Sequence, residues 1–239
     1  MPQLTPSRGK ARHLGSNPSE TAHDRPISWL GSYWQRSARG ELVPLKGAAI
    51  KAWRAPPKNA KLVFKGRVFS VYQWKQKMFD GRYATYETVW RPASVNIIAT
   101  VGRKVLMTRE RQPGIAGWYL GIPGGRAVEG ETPLQGAKRE LREETGYASE
   151  DWTLIGTDPA WPVTRWMTCW YLARNCRKVA PQSTSVNEKV EVFTVGLDEF
   201  LRKTVSMWGN ILCDFAEMKY DRGKRGTFAR MAFGSVSTD

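Results

Sequence analysis

The segment 124–147, GGRAVEGETPLQGAKRELREETGY, decides the fold, because it contains both the start and the end signals of a helix. Thr132 can cap the first turn, Pro133 suits the first helical position, and Gln135 stands where a capping box needs its partner. Gly146 can adopt the left-handed conformation that closes a helix. The segment therefore predicts a helix over 133–145.

The predicted helix has one apolar face, because three small or aliphatic residues recur at helical spacing. Residues on such a face pack against the interior of a domain. The spacing i, i+3, i+7 therefore predicts that this side of the helix is buried. The three residues are Leu134, Ala137 and Leu141.

Three acidic residues lie next to the apolar face. At 100° per residue, Glu140, Glu143 and Glu144 fall within one arc of about 100°. Arg139 precedes Glu143 by four residues, a spacing at which an ion pair can form. The ordinary interpretation of such a charge run is a solvated helix face with salt bridges.

A second interpretation is a site for a hard cation. Three acids on one face repel one another, and two of them lie near the helix C-terminus, where the helix dipole disfavours negative charge. Mg²⁺ or Mn²⁺ would relieve both effects, because these ions prefer oxygen ligands completed by water and phosphate. The preceding glycine-rich segment can add a backbone carbonyl ligand.

Composition narrows the chemistry. The net charge of +15 and a pI near 10.0 favour polyanionic partners, without choosing between nucleic acid, an anionic surface and small phosphorylated molecules.

His13 and His23 are the only histidines of the sequence. Both fall in a segment without regular patterning, so we expect no histidine base and no histidine-bound metal. Three cysteines match no disulfide or metal-ligand spacing, and together with the lack of an apolar span or signal core they predict a cytoplasmic protein with reduced thiols.

The chain divides into two parts. Residues 1–58 contain ten Lys and Arg against three Asp and Glu, scattered Pro, Ser and Gly, and no sustained period, so we predict a loosely ordered basic extension. Within it, SWLGSYWQR at 28–36 is an aromatic patch that we expect to pack on the domain surface. Residues 59–239 form the predicted domain.

Strand patterns surround the helix. Two hairpins are predicted, one joining 62–79 to 82–90 through Asp80-Gly81, the other joining 94–101 to 104–110 through Gly102-Arg103. Further strands are predicted at 164–173 and 189–195, and further helices near 197–204 and 208–220. Strands on both sides of one marked helix predict an α/β fold with a mixed β-sheet between helices, an α/β/α sandwich.

The helix segment resembles the signature box of the Nudix hydrolases. Gly125, Glu131 and the run Arg139-Glu140-Leu141-Arg142-Glu143-Glu144-Thr145-Gly146 match its fixed positions and spacing, and Tyr147 stands where the family prefers an aliphatic residue. The resemblance implies a Nudix-type fold over roughly 60–220. It also implies a hydrolase, dependent on Mg²⁺ or Mn²⁺, of a nucleoside diphosphate linked to another group.

The resemblance also implies roles for individual residues. Glu140, Glu143 and Glu144 would bind the metal and carry catalysis, with the carbonyl of Gly124 as a further ligand. Arg139 would orient the acidic cluster. Structural support of the box would come from Gly125, Glu131 and Gly146.

Outside the box, the chain is similar to the branch that cleaves ADP-ribose and nucleotide sugars. That branch has a hairpin ahead of the box, a basic turn like TRERQPG at 108–114, and a proline before a strand ending like YLA at 171–173. The similarity implies that Arg109, Arg111 and Pro162 contact substrate. It also places a catalytic base near Glu188 and Glu191, with Glu191 the better fit by spacing.

Other functions stay open at this point. A Nudix hydrolase acting on nucleoside triphosphates or capped RNA would suit the basic extension, which would also give weak contact with nucleic acid. A non-catalytic nucleic-acid-binding protein on the same scaffold is a third interpretation, which the three intact glutamates disfavour. Relatives of the chosen branch are often dimers, so a homodimer is the oligomeric state to test.

Overall fold

The structure is built from fifteen short strands and three helices in the described part of the chain. The computed structural model describes residues 34–36, 42–44, 56–159, 164–185, 187–204, 215 and 218–234. The strands are β1 (Trp34–Arg36), β2 (Leu42–Pro44), β3 (Lys61–Lys65), β4 (Ser70–Lys77), β5 (Tyr83–Trp90), β6 (Ser94–Val101), β7 (Lys104–Arg111), β8 (Tyr119–Gly121), β9 (Gly124–Arg126), β10 (Tyr147–Ala148), β11 (Asp151–Pro159), β12 (Thr164–Arg165), β13 (Met167–Arg174), β14 (Arg177–Lys178) and β15 (Lys189–Val195). The helices are α1 (Pro133–Thr145), α2 (Leu197–Thr204) and α3 (Arg222–Phe233).

A seven-stranded mixed sheet forms the centre of the fold. Its main path runs β11-β13-β6-β7-β15, in which β13 and β6 are parallel and the other neighbours antiparallel. β6 and β7 pair directly only over Ala99–Val101 with Lys104–Leu106. Beyond that point the sheet opens, because β9 pairs with β6 and β8 pairs with β7. This opening positions the candidate site.

The two faces of the sheet carry separate hydrophobic cores. On one face α1 packs through Ala137 and Leu141, both fully buried, against strand residues such as Ile97 and Leu106. On the other face, α2 and α3 pack through Phe200 and Phe228. The expected α/β/α sandwich with a mixed sheet is therefore confirmed.

Helix α1 has the ends that its sequence predicts. Thr132 and Gln135 form a capping box, and Pro133 begins the helix. Gly146 closes it with φ of 71°, a left-handed conformation. A side chain on Gly146 would also collide with the Ala180 carbonyl, because the added Cβ would lie 2.1 Å from that oxygen. Glycine is thus required at 146 for two reasons.

A second, four-stranded sheet has the order β12-β5-β4-β3, in which β3, β4 and β5 precede the central sheet in the chain and β12 follows β11. The predicted turn at Asp80-Gly81 joins β4 to β5, and the predicted turn at Gly102-Arg103 joins β6 to β7. The stretch 62–79 is two strands rather than one, because Gly66 turns the chain between β3 and β4 with an N–H bond to the Phe69 carbonyl. Two short strands, β1 and β2, pair with each other inside the predicted extension.

The C-terminal part of the chain differs from the expectation. The predicted helix at 208–220 lies largely outside the described residues, whereas α3 at Arg222–Phe233 was not predicted. Two internal glycines obscure its helical pattern in the sequence. Its start is nevertheless well defined, because the Asp221 side chain accepts hydrogen bonds from the N–H groups of Gly223 and Lys224.

None of the three helices in the described part of the chain has the length and apolar character needed to cross a membrane. Cys169 and Cys176 are both buried, and neither forms a disulfide in the described part of the chain. Cys213, His13 and His23 lie outside the described residues. The boundary between extension and domain at residue 58 stays a prediction.

Candidate active site

Arg139 is the centre of the box. Its guanidinium donates to both carboxylate oxygens of Glu131 at 2.9 and 3.2 Å, to Glu140 at 3.0 Å and to Glu143 at 2.9 Å. A further bond at 2.9 Å reaches the Arg126 carbonyl. The bonds to Glu131 are the main cause of a raised pKa of Arg139 and a lowered pKa of Glu131. One cation therefore holds the loop before α1 and two of the three box glutamates.

Glu144 is the most buried carboxylate of the box, with 8% of its surface exposed. Its Oε2 accepts a 2.9 Å hydrogen bond from the Gly124 N–H. Burial raises the pKa of Glu144 to about 9, the Gly124 bond opposes the shift, and the nearby acids Glu110, Glu140 and Glu188 add to it. The negative charge of these neighbours makes the position a poor one for a further anion and a good one for a cation.

Glu140 lies against the backbone of the loop. A Cβ added to Gly125 would lie 2.4 Å from Cδ and Oε1 of Glu140, so only glycine allows this approach. Burial raises the pKa of Glu140, and the Arg139 cation opposes the rise. Glu143 is more open, with 43% of its side chain exposed. The three predicted ligands thus share a face but differ in burial.

Glu110 joins this acidic group, although the sequence analysis did not single it out from the basic turn around it. It is buried, and its carboxylate accepts hydrogen bonds from Thr108 Oγ1 at 2.6 Å and from the Tyr119 hydroxyl at 3.0 Å. Burial, followed by the charge of Glu110, raises the pKa of Tyr119. Gly121 leaves room for Glu110, because its added Cβ would lie 2.9 Å from Oε1.

A cavity of about 1070 Å³ opens where β8 and β9 separate β6 from β7. One part of its wall carries the acids Glu110 and Glu188 beside Gly124 and Gly125. Another part is basic, and aromatic side chains line a third. The residues of these other parts are Arg91, Arg126, Trp118, Tyr119 and Trp170.

The structure does not bring Glu191 to this group. Glu191 lies in β15 two residues before Phe193, which packs in the core beneath α2 and α3, so its side chain is on the face opposite α1. There it accepts hydrogen bonds from Arg109, and both side chains are about half exposed. Glu188, just before β15, lines the cavity instead.

Arg109 and Arg111 lie in β7 opposite Glu191 and Lys189 of β15. Because side chains alternate along a strand, both arginines lie on the same sheet face as Glu191, opposite α1. Arg109 reaches the cavity wall through Trp118, whose ring centroid is 5.0 Å from the guanidinium carbon. Arg111 is exposed beside Lys189 in the register of β15. Pro162, the third predicted substrate contact, lies outside the described residues.

The donor atoms around the box suit a hard cation, since all of them are carboxylate or carbonyl oxygens. In the described part of the chain, no three acidic, histidine or cysteine side chains already converge at metal-binding spacing. Arg139 bonds oxygens of both Glu140 and Glu143. The site therefore has oxygen donors of the kind that Mg²⁺ prefers. The guanidinium of Arg139 competes with such an ion for two of these carboxylates.

Comparison with known proteins agrees with the fold and the box. A sequence model described as the NUDIX domain matches residues 90–210. The ADP-ribose pyrophosphatase of Bacillus subtilis (strain 168) is 31% identical over 94 residues, 39% of this chain and 51% of that protein. The methanol dehydrogenase activator of Bacillus methanolicus is 29% identical over 145 residues, 59% of this chain and 77% of that protein.

A solved structure described as an ADP compounds hydrolase has the same fold, with a TM-score of 0.55 and 19% sequence identity. The alignment covers 71% of this chain and 94% of the other. The chain spans about half the length of the Bacillus subtilis relative that it matches.

Proposed function

The chain belongs to the NUDIX family, and from that membership we propose that it is a divalent-metal-dependent hydrolase of a nucleoside diphosphate derivative. The substrate would be ADP-ribose or a nucleotide sugar, split at the diphosphate into two monophosphates. The observation that carries the proposal is the buried Glu144, held by Gly124 and surrounded by Glu110, Glu140 and Glu188 beside a cavity.

Glu140, Glu143 and Glu144 would hold the ion, with the Gly124 carbonyl as a further ligand. Mg²⁺ or Mn²⁺ suits these oxygen donors, and when bound it would neutralise the diphosphate and acidify the attacking water. Before binding, Arg139 keeps two of these carboxylates in place. It would go on fixing the loop through Glu131, its strongest partner.

The remaining chemistry is assigned to Glu188. In the proposed reaction, a water oxygen attacks one phosphorus while the Glu188 carboxylate takes the proton. The bond from that phosphorus to the bridging oxygen breaks, and the electron pair stays on the second phosphate. Glu188 is preferred to Glu191 because it lines the cavity and lies close enough to Glu144 to affect its pKa.

Support for the ADP-ribose branch comes from the relative named ADP-ribose pyrophosphatase and from the aromatic wall of the cavity. Trp118 and Tyr119 offer ring surfaces of the kind on which a base can stack. Arg109 contacts Trp118 from the outer face and would steady that wall. Arg109 would thus act on the substrate indirectly, whereas Arg111 and Pro162 stay predicted contacts. We also propose that the protein is cytoplasmic and that it forms a homodimer.

The test is a substrate panel on the full chain with Mg²⁺ or Mn²⁺. It should contain ADP-ribose, nucleotide sugars, dinucleoside polyphosphates, nucleoside triphosphates and capped RNA, in ¹⁸O-labelled water. We expect two monophosphates, one of them labelled, from ADP-ribose or a nucleotide sugar. Release of only inorganic phosphate or pyrophosphate would instead identify a triphosphatase. RNA binding with a steep salt dependence and no hydrolysis would support the alternative of a non-catalytic nucleic-acid-binding protein.

A further inference from the structure

Two arginines line the cavity, and neither has an acidic partner among the residues that the structure describes. Within the described residues, neither Arg91 nor Arg126 forms an ion pair, whereas Arg139 forms three. Burial lowers the pKa of Arg91, and the nearby charge of Arg126 lowers it further. Two like charges that line one cavity repel each other, and a bound anion would relieve that repulsion.

Arg91 is held rigidly. Its guanidinium carbon lies 4.5 Å from the ring centroid of Trp166 and 5.6 Å from that of Phe69. Its Nη2 donates a 2.9 Å hydrogen bond to Ser94 Oγ, which also accepts the Trp166 Nε1–H at 3.0 Å. Its Nε is buried and has no hydrogen-bond partner within the described part of the chain. The group is therefore fixed in orientation, with donor capacity to spare.

Arg126 is tied to the box. It directly follows Gly125 in β9, and its carbonyl accepts a hydrogen bond from Arg139. Its side chain makes one bond, a 3.3 Å contact from Nη1 to the Arg67 carbonyl. The other N–H groups of its guanidinium have no acceptor among the described residues. They can therefore bind a ligand. The charge of Arg126 is thus placed at the cavity by the same strand that positions Gly124.

The cavity therefore has an acidic part and a basic part, which suit different groups. The carboxylates suit a cation, and the arginine forks suit the oxygens of a phosphoryl group, which they can bind through two parallel hydrogen bonds. We propose that Arg91 and Arg126 form an anion-binding site that holds one phosphoryl group of the substrate while the other lies at the carboxylates. This inference rests on the proposed function, since it assigns the second phosphate of the same diphosphate.

The proposal is tested first by binding without hydrolysis. Isothermal titration calorimetry on the full chain in EDTA would use ADP, AMP, inorganic phosphate and adenosine. We expect R126Q to weaken ADP and AMP binding at least about tenfold, because charge-assisted hydrogen bonds are lost, and to leave any adenosine binding unchanged. R103Q is the matched control, since Arg103 lies in the turn between β6 and β7, outside this cavity.

Arg91 packs against the rings of Phe69 and Trp166, so R91Q can lose stability as well as ligand affinity. The melting temperature of R91Q is therefore measured beside its ADP affinity, and R91K is tested as a second variant. R91K keeps the charge but loses the fork, and we expect it to fold and to bind ADP more weakly than the wild type. ADP affinity equal to that of the wild type in folded R126Q and R91K would overturn the proposal. So would the absence of measurable ADP, AMP and phosphate binding to the wild type.

A kinetic measurement separates this site from the proposed function. If the wild type hydrolyses ADP-ribose, R126Q should raise KM by about tenfold and leave the affinity for Mn²⁺, followed by electron paramagnetic resonance, unchanged. If the wild type hydrolyses nothing in the panel but loses ADP binding on R126Q substitution, the anion site stands and the hydrolase proposal fails. Hydrolysis with an unchanged KM in R126Q would leave the hydrolase and remove the anion site.

Discussion

The backbone N–H of Gly124 donates a 2.9 Å hydrogen bond to Oε2 of Glu144, twenty residues further along the chain. The bond joins the strand β9 to the C-terminal turn of α1. It also satisfies a carboxylate that is otherwise buried among acids. The position of the Glu144 carboxylate is therefore set by a backbone N–H group of β9. A side-chain substitution in β9 does not remove this donor.

Gly125→Ala should disturb the site more than the fold. The added Cβ would lie 2.4 Å from the Glu140 carboxylate, which must move. We expect metal affinity and turnover to fall by on the order of tenfold or more, with a modest loss of melting temperature. Gly196→Ala is the control, because a Cβ there meets no atom of the described residues within 4 Å. Equal metal affinity in both variants would show that Glu140 is not a ligand.

Arg139→Gln should lower both stability and activity. It removes the cation that bonds Glu131, Glu140 and Glu143 and leaves partly buried acids unpaired. We expect a loss of about 2–3 kcal/mol in the free energy of unfolding by urea denaturation. Arg142→Gln, an exposed neighbour on α1, should cost far less. Equal losses in the two variants would contradict the central role of Arg139.

The stability of the metal-free protein should depend on pH through Glu144. The folded protein keeps a proton on this residue up to about pH 9, whereas the ordinary pKa is 4.5. Raising the pH between these values therefore favours the unfolded chain. In EDTA, the melting temperature of the wild type should fall relative to that of Glu144→Gln between about pH 5 and about pH 8. A constant difference across that interval would mean that Glu144 ionises normally.

Glu188→Gln and Glu191→Gln should differ. The first removes the proposed base from the cavity, and we expect kcat to fall by on the order of a hundredfold or more. The second removes an exposed pair with Arg109, worth about 1 kcal/mol or less, and should change kcat little. Steady-state kinetics on both variants decides between them, and the reverse order would restore the assignment made from spacing.

Local signals made much of the fold predictable. The capping box, Pro133 and Gly146 give α1 its two ends, and the turns at Asp80-Gly81 and Gly102-Arg103 give the hairpins, because each depends on neighbouring residues only. The strands β8 and β9 carried no such signal. They are short and glycine-containing, and they exist because the main sheet opens between β6 and β7.

The site was predictable only where one segment supplies it. The box residues share a helix, so their grouping follows from spacing. Glu110 comes from β7, where its placement on the face of Leu106 and Thr108 was a usable signal: an acid at an inward position of a strand. Glu191 was favoured by its spacing in the sequence, but strand alternation puts it on the opposite face from α1. The pairing of Arg91 with Arg126 depends on contacts between distant segments, which the sequence alone does not reveal.

The most direct measurement compares ADP-ribose hydrolysis, in the presence of Mg²⁺, by the wild type, Glu144→Gln and the exposed control Glu150→Gln. We predict AMP and ribose 5-phosphate from the wild type and the control. Glu144→Gln should remain folded and lose activity by on the order of a thousandfold, since the charge stabilisation supplied by a bound metal is worth several kcal/mol. Near-normal turnover by folded Glu144→Gln would contradict the assignment of the catalytic centre to this carboxylate.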